Sequence, residues 1–387
     1  MGGNSLKRFP VGRLEKKEFF EVFNEIKNLF EGVKLDIVPA YSEKETFGDL
    51  DVIVQMESMK EFYKKNTNND MENGFSKFLS EKINSRQQHF AFPVISFEYR
   101  KSTEDRVGFQ VDFIHIPEKN YDFSLNYLSY NDLGNLIGVM YRHLGLRFGH
   151  YGVNKEVYHP KLKTTKLGEI NVTNDFNKAL DFIGLDVEKF HKGFSNMNEI
   201  FEYVATSKFF NPEIYALETG INDYKSRRRN AKRSTYSGFL KWIKENEKSL
   251  NRFNFKEANR KELIDNYFNS IDYKNTYQGI IDNFEERINA KERIKGETLS
   301  EWTGLTHQAL GMLSSKFKSQ FKNDEELINY IMKKTNIELK DEFIKLKSTI
   351  DIKGIPGDPE TNPVPIDITH KEKMKIKKEK MINAGRK

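Results

Sequence analysis

The chain has no cysteine, which excludes disulfides, thiolate metal sites and cysteine nucleophiles. It also lacks any run of about 18 apolar residues, so no membrane-spanning helix and no membrane partner are expected. Its opening residues, Met1 to Arg8, lead into charged sequence and not into an apolar signal core, so the expected compartment is the cytoplasm. Charge is not one-sided: 63 basic residues face 57 acidic ones, for a net charge of +6. That modest excess fits a polyanionic partner, but the position of the basic residues says more than their sum. Phenylalanine, in contrast, is abundant. With 31 of them in 387 residues, the chain can build a sizeable core spread over two or three domains.

The hydrophobic pattern predicts an α+β fold: a small mixed sheet with helices over residues 1–155, then a mostly helical C-terminal half. Residues 14–31 repeat Phe19, Phe23, Ile26 and Phe30 at helical spacing and stop at Gly32. Strands are expected over 33–40, 49–56, 91–99 and 108–116, with helices over 57–64 and 70–86. Helices are expected to dominate beyond 155, including Phe182 to Asp186, Phe194 to Val204 and 237–290. The segments then divide as 1–155, a helical domain over 156–292, a small helical domain over 293–350, and a loop with a Lys-rich tail over 351–387. The loop Gly354-Ile355-Pro356-Gly357-Asp358-Pro359 breaks regular structure.

The chemistry concentrates in Gly48-Asp49-Leu50-Asp51 and in Val111-Asp112-Phe113. Residues two apart on a strand share a face, so Asp49 and Asp51 project together while Leu50 and Val52 turn to a core. A neighbouring strand carrying Asp112 brings a third carboxylate to the same spot. Three converged carboxylates repel one another unless cations lie between them. All-oxygen donors suit Mg²⁺, and a pair of such ions serves phosphoryl transfer. Gly48 lets backbone approach phosphates closely. His115, assigned to the Asp112 face, is read as a structural histidine.

Residues 7–155 resemble the palm of the DNA polymerase beta-like nucleotidyltransferases, especially family X polymerases. The stretch Pro39-Ala40-Tyr41-Ser42-Glu43-Lys44-Glu45-Thr46-Phe47-Gly48-Asp49-Leu50-Asp51 is similar to that family's turn ending in Gly-Asp-x-Asp, and Gln110-Val111-Asp112 to Pro117 is similar to its third strand. Pro10 to Glu15 and Tyr127-Leu128-Ser129-Tyr130-Asn131-Asp132-Leu133-Gly134-Asn135 resemble its flanking segments. The resemblance implies catalytic and metal-binding roles for Asp49, Asp51 and Asp112, two Mg²⁺ ions with Mn²⁺ as a substitute, and an NTP or dNTP substrate. It also implies Arg13 on the triphosphate and Tyr127, Asp132 and Asn135 near the nucleotide. Two departures stand out. Pro39-Ala40 replaces the family's Gly-Ser pair, leaving Ser42 or Lys44 to contact the terminal phosphate, and Gln110 replaces an arginine. The segment before Arg13 is too short for the lyase domain of repair polymerases. The chain is also similar to the large nucleotidyltransferases of tailed bacteriophages, which implies a host-cytoplasmic location. Gly304-Leu305 followed by Leu310-Gly311 faintly resembles the C-terminal helices of tRNA nucleotidyltransferases, and a helix-turn-helix packing unit explains it equally well.

The densest basic cluster holds Lys225, Arg227, Arg228, Arg229, Lys232 and Arg233 and no acid. It reads as a contact for nucleic-acid or triphosphate phosphates. Tyr236, Phe239 and Trp242 beyond it stack on a base or anchor a helix. Four functions stay open: nucleotidyl transfer to an RNA or DNA 3′ end, tRNA ends included; template-directed polymerisation; nucleotidyl transfer to a protein or small molecule; and an inactive nucleic-acid-binding protein.

Overall fold

A computed structural model describes residues 5–69, 74–161, 164–220, 223–268 and 273–364. The Lys-rich tail beyond residue 370 lies outside the described residues. The fold is α+β, with a mixed five-stranded sheet in the N-terminal half and mostly helix in the C-terminal half. Two compact units divide the chain. One comprises Met1–Lys155 and Asn171–Ile271, the other Glu156–Ile170 and Asp272–Lys387.

The first unit begins with β1 (Leu14–Glu15), α1 (Lys16–Leu29), β2 (Leu35–Ile37), β3 (Thr46–Phe47), β4 (Asp49–Gln55), α2 (Met56–Thr67) and α3 (Phe75–Ile83). Then come β5 (Gln88–Ala91), β6 (Val94–Tyr99) and β7 (Phe109–Ile116). The sheet order is β2-β4-β7-β6-β5, with β4 and β7 parallel and the other pairs antiparallel. Phe19, Val22 and Ile26 of α1 are buried one helical turn apart, against Leu50, Val52, Val54, Val111 and Phe113. That face is the apolar one the alternation demands. Burying each such side chain contributes roughly 1.5–3 kcal/mol. The opposite face changes character along its length. Ile53, Ile114 and Ile116 pack under Tyr121, whereas the preceding same-face positions of these strands are Asp49, Asp51, Gln110 and Asp112. Half of this face is therefore core and half is left for polar chemistry.

Next come α4 (Tyr121–Leu128), α5 (Leu133–His143), β8 (Arg147–Gly149), β9 (Gly152–Tyr158) and β10 (Lys166–Thr173), the three strands forming a second sheet in the order β10-β9-β8. The helices α6 (Phe176–Phe182), α7 (Val187–Lys192), α8 (Met197–Ala205), α9 (Tyr224–Asn230), α10 (Ser234–Asn246) and α11 (Arg260–Tyr267) complete the unit, to which β9 and β10 contribute only residues 152–155 and 171–173. Its second core joins Phe123, Leu136 and Tyr141 to Phe182, Phe210, Tyr215 and Phe239. Buried tyrosines satisfy their hydroxyls across it: Tyr141 donates to Ala179 O at 2.6 Å, Tyr215 to Leu136 O at 3.1 Å and Tyr236 to Tyr215 O at 2.7 Å. This shared core is why residues 171–271 group with 1–155 and not with the segment that follows, unlike the sequence-based division at 155 and 292.

Three element assignments need correction. The single strand expected over 91–99 is a hairpin, because Phe92-Pro93 turns the chain between β5 and β6. The region after 155 opens with strand, not helix, in β9 and β10. Phe182 to Asp186 is the end of α6 and a turn, in which Gly184 has φ of +72°.

The second unit contains α12 (Tyr273–Arg293), α13 (Gly296–Thr303), α14 (His307–Lys318), α15 (Asp324–Met332) and α16 (Asn336–Lys347) around Leu299, Leu313, Phe317, Ile331 and Phe343. A reciprocal capping box of Thr335 and Glu338 starts α16. The 354–359 loop closes on α14, where Thr306 N–H donates to Gly357 O at 2.9 Å. A Cβ at Gly357 would lie 1.9 Å from Thr306 O, so only glycine fits. No helix among the described residues is long and apolar enough to cross a membrane.

Candidate active site

Parallel pairing of β4 and β7 sets Asp51 opposite Asp112 and Asp49 opposite Gln110. One carboxylate oxygen from each of Asp49, Asp51 and Asp112 lies within 4.8 Å of the others. Asp112 is nearly buried, at 8% exposure. Burial pushes its carboxyl up to about 6; a Ser96 hydrogen bond opposes the rise, the Asp49 charge adds to it, and Gln110 opposes it again. Burial, then repulsion from Asp49 and Asp112, holds Asp51 well above the usual carboxylate range, with Lys44 opposing. Such a cluster is electrostatically unfavourable by itself, and a divalent cation between the oxygens would relieve it. The donor set is all hard oxygen, which fits Mg²⁺ or Mn²⁺.

Gln110, where the resembled family has arginine, is not idle. Its Nε2 donates to both Asp112 oxygens, at 2.9 and 3.0 Å, and its Oε1 accepts from Ser5 N–H at 3.1 Å. It orients the carboxylate as a guanidinium would, without the positive charge that would hold Asp112 ionised.

A cleft of about 560 Å³ opens over Asp49 and Asp51. Lys44, Asn131, Asp132, Lys232, Arg233, Ser234 and Thr235 also line it. Burial pushes the Lys44 ammonium below the usual lysine range, while the charges of Asp49 and Asp51 pull it back up. Arg233 is ion-paired with Asp132. The loop bearing Asn131 is strained: Tyr130 and Asn131 both have positive φ, 59° and 63°. Tyr130 is held there by its N–H bond to Pro39 O at 2.8 Å and by edge contacts with Phe190 and Phe194. Strain of this kind costs on the order of 1–3 kcal/mol per residue and persists only where packing enforces it.

Other predicted residues fall outside the cleft lining. Arg13, just before β1, donates to Thr46 O of β3 at 2.9 Å, beside the β1–β3 pairing. Ser42 is exposed, and its backbone docks on Phe194 O at 2.9 Å. Gly48 is a buried bend between β3 and β4. Tyr127 packs on Phe148 and His150, and a Cβ on Gly134 would lie 2.2 Å from Tyr127 O, so glycine permits this approach of α5 to α4. Asn135 accepts from Arg229 at 2.8 Å and donates to Asn230 at 3.2 Å. Of the basic cluster, Lys232 and Arg233 reach the cleft, while Lys225, Arg227, Arg228 and Arg229 belong to α9. Tyr236 and Phe239 are core residues, and Trp242 stacks on Phe239.

His115 is not on the Asp112 face. Three residues apart on a strand means opposite faces, and its ring lies among Phe75, Phe92 and Phe113. Ser234 and Thr235 escaped sequence reading because hydroxyls at a helix start ordinarily signal capping. Ser96 escaped it because nothing local announces that it pairs with Asp112.

Comparison with protein-family models and with curated proteins finds no match to this chain.

Proposed function

We propose that this protein is a metal-dependent nucleotidyltransferase that moves a nucleoside monophosphate from an NTP or dNTP to a nucleic-acid 3′ hydroxyl and releases pyrophosphate. One observation carries the reading: three carboxylates converge, and two of them, Asp49 and Asp51, line a cleft that Lys44, Lys232 and Arg233 line too. Acids alone would repel a triphosphate and bases alone would only bind it; their combination suits phosphoryl transfer.

Mg²⁺ held by Asp49, Asp51 and Asp112 would supply charge neutralisation at the phosphoryl oxygens and a lowered pKa for the attacking hydroxyl. The chain's own groups do the remainder. Lys44, Lys232 and Arg233 offset charge on the β- and γ-phosphates, and Ser234 and Thr235 offer hydroxyl donors at the start of α10. Asp112, fixed by Gln110, takes the proton of the 3′ hydroxyl. The new bond joins that oxygen to the α-phosphorus, and the bond from the α-phosphorus to the bridging oxygen breaks as pyrophosphate leaves.

The test incubates the protein with Mg²⁺ or Mn²⁺, each labelled NTP or dNTP, and single-stranded RNA, primed DNA or no acceptor. Label on 3′ ends that disappears in Asp112→Asn supports the reading. Label on protein alone, or none anywhere, overturns it.

A further inference from the structure

A row of paired residues crosses the sheet from the acids to its edge. Asp51 is opposite Asp112, Asp112 opposite Ser96, and Ser96 opposite His89. Residues directly opposite one another share a face, so all four lie on the acid-bearing side. The row ends on β5, which is exposed along its whole length.

Beyond β5 lies a second cavity, of about 520 Å³, lined among others by Ser5, Lys7, Arg8, Arg86 and His89 and by no acidic side chain. Arg86 is committed to the buried Glu98. Lys7, Arg8 and His89 are exposed. The strip Ser5–Phe9 is held by two side-chain amides. Gln87 accepts from Arg8 N–H at 2.9 Å and Phe9 N–H at 3.0 Å and donates to Phe9 O at 2.7 Å. Gln110 accepts from Ser5 N–H while it donates to Asp112. One amide thus ties a basic strip and the reacting carboxylate together.

Two polyanionic substrates repel each other and are best brought to one reaction point from different sides. The acids here are flanked by two basic zones: the Lys44, Lys232 and Arg233 cleft on the β2–β4 side, and the Lys7, Arg8 and His89 groove on the β6–β5 side. We propose that the groove between Ser5–Phe9 and β5 receives the 3′-terminal strand of the nucleic-acid acceptor. Lys7 and Arg8 lie on its phosphates, and the strand end passes the exposed His89 toward the row that carries Asp112, in which Ser96 itself is buried. This rests on the nucleotidyltransferase reading for the reaction, but the groove is testable without it.

The probe is a short single-stranded oligonucleotide ending in 4-thiouridine (RNA) or 4-thiothymidine (DNA), crosslinked by ultraviolet light to the full chain and mapped by mass spectrometry. The expected result is crosslinking within residues 5–9 or 86–89, and the two arms show whether RNA or DNA is taken. A Lys7→Glu/Arg8→Glu variant should bind the same probe about tenfold more weakly, with a salt slope smaller by about 1.4, from roughly 0.7 per lost phosphate contact. Crosslinks confined to α9 and α10, or wild-type affinity and slope in the variant, overturn the groove. A chain that crosslinks at the groove but transfers no nucleotide with Mg²⁺ or Mn²⁺ overturns the reaction and leaves the groove standing. A chain that transfers nucleotide but crosslinks elsewhere overturns the groove alone.

Discussion

Gln110 grips Asp112 with one end of its amide, Nε2 lying 2.9 and 3.0 Å from the two carboxylate oxygens. Orienting partners of this kind typically matter about 10- to 100-fold for metal affinity or activity. Gln110→Ala should therefore lower kcat by that range. It also removes a hydrogen bond that favours the ionised acid, so the acid limb of the pH–rate profile should move to higher pH. A variant with lower kcat and an unmoved limb would limit Gln110 to packing.

Asp112 should destabilise the fold whenever it is ionised and no cation is near. Its folded pKa of about 6 lies above the unfolded value of about 3.9. The stabilisation is therefore complete below about pH 4 and is lost as pH rises through about 6, up to about 3 kcal/mol. In EDTA at neutral pH, Asp112→Asn should raise the thermal midpoint while abolishing transfer. Added Mg²⁺ should raise the midpoint of the native chain and not of the variant.

His115 acts with the opposite sign. Burial pushes its imidazole down to about 4, below the unfolded value of about 6.5. The fold keeps this contribution above about pH 6.5 and loses about 3 kcal/mol as pH falls through about 4. Denaturant melts of His115→Asn between these limits should show a shallower acid loss than the native chain. An identical acid loss would shift the cause to other groups.

Lys44 and Lys232 both line the acid cleft. A hydrogen bond to a charged group is worth about 1.5–3 kcal/mol. Lys44→Ala and Lys232→Ala should each raise the KM for NTP by roughly 10- to 100-fold. Lys225→Ala, on α9, should leave that KM near the native value. Steady-state kinetics at saturating acceptor separates the two outcomes.

Local pattern determined much of this protein. The period-two alternation in Asp49–Gln55 and Phe109–Ile116 was enough to turn Leu50, Val52 and Phe113 inward and Asp49, Asp51 and Asp112 outward, because a strand offers only two faces. The helical spacing of Phe19 and Ile26 was legible for the same kind of reason. What required tertiary structure was everything that depends on pairing between distant segments. The parallel register that sets Asp51 beside Asp112, the amide of Gln110 in place of an arginine, and Lys232 and Arg233 facing the acids all join residues far apart in the chain. So does the shared core that groups residues 171–271 with 1–155. Periodicity reports which way a side chain points relative to its own backbone; only packing decides what it meets there.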